Sequence, residues 1–169
     1  MMRRYISLLF ILFGILCLLS CDRNQDKDKA PSIFWGLNIS KSPLKTEVLK
    51  QELTGFTKTP SLISWHINWE YAFPKYDAEA VIKQGSIPQL IWEPWIWKDK
   101  EAIQFDNVIH GEWDTYISQF AKAVKQFNYP IFIQLAPCFN LEDVAWSTAS
   151  LGKKGANFVQ FYRQFLLVF

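Results

Sequence analysis

Three short segments concentrate the side chains that could act on a ligand: Trp65-His66-Ile67-Asn68-Trp69-Glu70, Trp92-Glu93-Pro94-Trp95 and Pro137-Cys138-Phe139-Asn140. Each follows an apolar run that reads as a β-strand, and in parallel α/β sheets ligands collect at the C-terminal ends of the strands. The groups on offer are indoles, an imidazole, amides and carboxylates. An indole presents a flat apolar face and an N–H, which suits stacking on a sugar ring. Amides and carboxylates hydrogen-bond to hydroxyls. The candidate binding residues are therefore Trp65, His66, Trp92, Glu93, Trp95 and Asn140, with Trp146 a few positions further on. Cys138 is the one nucleophile type among them. Lacking an evident His or Asn partner nearby in sequence, it reads as an inert thiol.

Other chemistries are excluded by what the chain lacks. His66 and His110 belong to no Cys/His/Asp cluster at ligand spacing, so no metal is expected. No glycine-rich phosphate loop and no serine nucleophile elbow occur, so no cofactor is expected. The net charge of +2 implies no strongly charged partner. With no cluster of Lys and Arg interleaved with aromatics, nucleic acid is not an expected partner. The most unusual quantity is eight Trp in 169 residues, several of them grouped at the strand ends.

Elements of two kinds must position these residues. Residues 32–39, 61–65, 87–92 and 130–136 read as strands, and the last two run apolar with little polar alternation. That pattern predicts a parallel sheet covered on both faces. Between them, Ser42-Pro43 reads as a helix start, with Val48, Leu49 and Leu53 on one face and a stop at Gly55. Asp77 reads as the cap of a helix carrying Ala78, Val81 and Ile82 and ending at Gly85. The clearest helix spans 111–127. Trp113, Tyr116, Ile117, Phe120, Ala121, Val124 and Phe127 form one apolar stripe of helical period. A last helix is predicted over 155–169. Four βα units result, and two architectures fit them: a doubly wound open sheet, or the first half of a (β/α)8 barrel, whose full form needs ~250 residues.

The N-terminus predicts a location. Met1-Met2-Arg3-Arg4 precedes an uncharged apolar stretch that ends in Leu18-Leu19-Ser20-Cys21. The stretch has signal-peptide length and is shorter than the ~20 apolar residues of a comfortable span. The ending resembles a bacterial lipobox, which implies cleavage before Cys21 and lipidation of its thiol. Residues 1–20 are then the signal peptide, 21–31 a charged, apolar-poor tether, and 32–169 the folded domain. With Cys17 removed and Cys21 acylated, Cys138 is the only free thiol and no internal disulfide is expected. The expected home is the bacterial cell envelope, with the membrane as a partner through the lipid anchor.

Several segments of the domain carry a family resemblance. The run from Gly85 through Pro88, Trp92, Glu93 and Trp95 resembles the third-strand segment of glycoside hydrolase family 26, the β-mannanase family. His110 to Ile117 is similar to the start of that family's next helix. Pro130 to Asn140, followed by Trp146-Ser147, resembles its fourth-strand signature in length and framing. The resemblance covers about residues 34–165 and only the first half of the family's barrel.

It implies a (β/α)8 fold and a retaining glycosidase acting on β-linked polysaccharide such as mannan, using two carboxyl groups ~5–5.5 Å apart. The matching positions depart from that machinery. Cys138 occupies the acid/base position, Pro137 replaces its neighbouring His, and Gln134 stands where Arg is common. Only Asn140 keeps the motif, and the strand-seven nucleophile has no counterpart here. A thiol is a weak proton donor to a glycosidic oxygen, so no intact catalytic residue is expected. The expectation is an inactive half of a mannanase-type enzyme, interrupted at the apolar run 165–169. The alternatives are a non-catalytic surface glycan-binding lipoprotein, or a small open α/β lipoprotein with a structural role.

Overall fold

The computed structural model describes residues 34–40, 46–96, 101–148 and 155–169. The predicted signal peptide, Cys21, the predicted tether, Ser32-Ile33 and the predicted Ser42-Pro43 helix start lie outside the described residues. The elements run β1 (Gly36–Ile39), α1 (Thr46–Glu52), β2 (Leu62–Asn68), α2 (Lys75–Lys83), β3 (Ile87–Glu93), β4 (Trp95–Ile96), β5 (Glu101–Ala102), α3 (Phe105–Ile109), α4 (Asp114–Phe127), β6 (Phe132–Leu135) and α5 (Gly155–Val168). No helix among the described residues is long and apolar enough to cross a membrane.

Turn chemistry sets several of these boundaries. Gly85 ends α2 with φ at +81°, a conformation that costs glycine nothing. Asn128 does the same after α4 with φ at +57°, in the left-handed region that Asn tolerates better than most residues. Asp77 does not cap α2. Pro74 holds the cap position, and Asp77 sits inside the first turn, where a carboxylate still favours the positive end of the helix dipole. The predicted helix from residue 111 begins instead at Asp114, because Gly111 bends the chain with φ at +83° between α3 and α4.

Four strands form one parallel sheet in the order β1-β2-β3-β6. Each strand lies beside the preceding sheet strand in the chain and the order never reverses. An α/β fold of parallel units is thus the observed class. The register then separates the two faces. Leu37, Ile63 and Pro88 align across one face. So do Ile39, Trp65, Leu90 and Ile133, and then Ile67, Trp92 and Leu135. On the opposite face Asn38, Ser64, Gln89 and Phe132 form one row, and His66, Ile91 and Gln134 the next.

The helices meet only the first face. Leu49 of α1, Ala78 and Val81 of α2, Ile117 and Phe120 of α4, and Phe161 and Phe165 of α5 join Ile39, Ile63, Trp65, Leu90, Trp92 and Leu135 in one buried cluster. No residue of the opposite face belongs to that cluster. Among the described residues the helices cover one face of the sheet and not both, although Ser64, Asn68 and Ile91 on the other face are buried. The apolar residues of β2 and β3 do alternate, but Ile87 and Ile91 on the polar face mask the alternation in sequence.

Aromatic packing holds the core. The Trp92 ring stacks on Phe120 with centroids 4.0 Å apart and planes at 21°. Trp69 lies against Trp92, Trp113 and Tyr116 at 5.3–5.6 Å. Fully burying such a ring removes ~150–250 Å² from water, several kcal/mol each at ~25 cal/mol per Å².

Candidate functional site

The strands deliver a polar cluster at the C-terminal end of the second face. His66 and Asn68 alternate with Trp65 and Ile67 along β2, so they project away from the helices. Asn68 aligns with Glu93 across the β2–β3 pair. The His66 Nδ1 lies 2.7 Å from one carboxylate oxygen of Glu93. The Trp95 indole N–H donates to the other, at 3.1 Å. One carboxylate thus spans an imidazole and an indole. The His66 side chain is 47% exposed and that of Glu93 14%, so the imidazole faces solvent while the carboxylate is sheltered.

Local structure fixes each partner. The β4–β5 hairpin pairs Trp95 with Ala102, and the Trp95 carbonyl accepts the Trp69 N–H at 3.3 Å. These backbone bonds tie β4 to β5 and to the residue after β2. Past β2 the Asn68 side-chain oxygen accepts the Glu70 backbone N–H, and its amide donates to the Glu70 carboxylate, both at 3.1 Å. That is a side-chain turn of the kind Asn favours. It places a second carboxylate at the same rim. Trp146 closes the cluster on the far side. Its N–H donates to the Pro137 carbonyl at 2.7 Å, and its ring lies 5.8 Å from that of Trp95.

The structure brings His66, Glu93, Trp95 and Trp146 together and removes two other candidates. Trp65 and Trp92 are fully buried and face the helices. A ring packed among Leu, Ile and Phe offers no face to a sugar, so both belong to the core and not to a binding surface. Asn140 is exposed in the loop after β6. Asn68 and Glu70 join the site without having been selected from the sequence. The period of two along β2 is the signal that places Asn68 beside His66.

The acid/base position of the family resemblance lies elsewhere. Cys138 is an exposed free thiol with φ at +57°, and Ala136 also has a positive φ of +49°. These non-glycine residues kink the chain immediately after β6. Cys138 lines a groove of about 540 Å³ between β6, its following loop and α5, whose walls include Leu135, Phe158, Tyr162 and Leu166. Glu142 and Asp143 are exposed in the same loop. No group of three or more metal-ligating side chains is present among the described residues.

The cluster offers hydrogen-bonding groups at the end of the sheet. With the Nδ1–H directed at Glu93, the His66 Nε2 is left as an acceptor for a hydroxyl. Glu93 and Glu70 add acceptors at the rim, and the half-buried Trp95 ring adds aromatic surface, whereas Trp146, 8% exposed, belongs to the core cluster and offers no open face. No protein-family model matches the sequence, and comparison with curated proteins finds no match.

Proposed function

We propose that this domain is the first half of a (β/α)8 barrel of the β-mannanase type, which binds a β-linked glycan at the C-terminal rim of its sheet and does not cleave it. The observation that carries the reading is the Trp95–Glu93–His66 network, set on the sheet face that the helices leave to polar groups. The unreversed strand order supports a barrel segment over a doubly wound sheet, in which the order reverses at a switch point. Cleavage by double displacement needs an acid and a nucleophile. Cys138 stands in place of the first, and the carboxylate held at the rim is already engaged by His66 and Trp95.

The same proposal places the domain on the cell envelope through a lipid on Cys21. Lipidation with more than one acyl chain anchors a protein stably, and Cys21→Ala is expected to move the chain from the membrane to the soluble fraction. The glycan reading is tested by calorimetric titration of the full chain with β-1,4-mannan oligosaccharides, run beside a reducing-end assay. Binding without new reducing ends is the expected result. Hydrolysis would restore the enzyme reading, and the absence of binding would remove the glycan.

A further inference from the structure

Both outer edges of the sheet are unpaired among the described residues: β1 has only β2 beside it, and β6 only β3. In a parallel strand the N–H and C=O of one residue point to one side and those of the next to the other. Ala136 donates its N–H to the Trp92 carbonyl. Phe132 and Gln134 share that side, so Ile133 and Leu135 turn their backbone groups to the free edge. On β1, the Trp35 carbonyl accepts from Ser61, so Gly36 and Asn38 turn theirs outward. Free edges of this kind are templates for another strand.

The two edges are complementary. All four strands run the same way, so a β1 edge laid beside a β6 edge continues the sheet in parallel. Two copies joined head to tail at both junctions make eight strands, the number at which a barrel interior is just filled by side chains. A head-to-tail contact that closes in this way gives a finite ring.

Side chains support the same occupant. Phe132 is an apolar ring on the polar face and is 56% exposed. Closure of the barrel would turn it inward. Leu166, 65% exposed, walls the apolar groove that runs along the free edge of β6. Asn38, Phe132 and Gln134, exposed on this face, lie on the two outer strands, whereas Ser64 and Ile91 at its centre are already buried.

We infer that a second copy of this chain covers the polar face, the β1 edge of each copy pairing with the β6 edge of the other to close an eight-stranded barrel. Both His66–Glu93 pairs then stand on one rim, and Gln89 and Gln134 of the two copies supply amides that hydrogen-bond inside. The inference rests on the half-barrel reading of the sheet and not on glycan recognition.

The test is sedimentation equilibrium of the full chain in density-matched detergent, without glycan. The wild type is expected to be a dimer. Gln134 is exposed in a single copy, so Gln134→Lys leaves that copy folded but puts an ammonium inside the closed barrel. It should weaken the dimer by more than about tenfold, with an unchanged circular-dichroism melt at dissociating concentration. Ile133→Pro removes a donor from the free edge, together with a side chain that packs against the core, and should dissociate the dimer as well; if it fails to fold, Gln134→Lys decides alone. A monomeric wild type, a ladder of species beyond the dimer, or a dimer indifferent to Gln134→Lys would each overturn the inference. A dimer that binds no mannan oligosaccharide keeps it and removes the glycan reading, and a monomer that binds does the reverse.

Discussion

The two faces of β3 differ more than any two other regions of the molecule, although they share one backbone. Pro88, Leu90 and Trp92 point into the helix-covered core, while Gln89, Ile91 and Glu93 point to the polar face. The first set is fixed by packing, where every neighbour is apolar and volume decides the outcome. The second is fixed by hydrogen bonds at the rim and ends in an imidazole open to solvent. One face therefore carries the apolar packing, and the rim of the other carries the polar groups.

The largest expected effect breaks the first face. Trp92→Ala removes the ring that stacks on Phe120 and meets Tyr116 and Phe165. A loss of ~3–5 kcal/mol is expected, read by urea denaturation, and a loss below about 1 kcal/mol would contradict the assignment of this indole to the core. A sharper comparison uses neighbours on one strand. Leu90→Ala should cost ~2–5 kcal/mol and Gln89→Ala no more than about 0.5 kcal/mol. Equal losses would mean that both faces are buried against apolar partners.

A smaller effect appears in alkali. Tyr116 donates its hydroxyl to the Tyr71 carbonyl at 2.9 Å, and burial pushes its phenol above the ordinary value of 10.0. The fold favours the protonated phenol. Its contribution is full below pH 10 and is lost as pH rises above 10 toward the folded value. Tyr116→Phe should cost about 1 kcal/mol at neutral pH. It should also flatten the fall in melting temperature above pH 10, and an unchanged slope would remove Tyr116 as its source.

How much of this was legible depended on the length of each pattern. The stripe from Trp113 to Phe127 repeats over four turns, and α4 follows it to the residue at its C-terminal end. Gly55 and Gly85 mark real helix ends because each has a positive φ. The β4–β5 hairpin has two residues per strand, too few for a period to register. Face assignment failed for a different reason. Trp serves equally as core and as sugar platform, so composition at the strand ends could not separate Trp65 and Trp92 from Trp95. Counting alternate residues back from His66 would have separated Trp65, since a period of two sends Trp65 and His66 to opposite sides. The carboxylate shared by His66 and Trp95 joins residues 27 positions apart in sequence, and only the register of β2 against β3 brings them together.

The His66–Glu93–Trp95 rim is proposed to recognise a ligand, while the other face holds the fold. The most direct measurement is calorimetric titration of a β-1,4-mannan oligosaccharide into the wild type and Glu93→Ala side by side, with a thermal melt of each. Glu93→Ala breaks a hydrogen bond to a half-exposed imidazole, so its stability should fall by no more than about 1 kcal/mol, whereas binding should be lost. Undiminished binding by Glu93→Ala, or a collapse of its fold comparable with Trp92→Ala, would contradict the account.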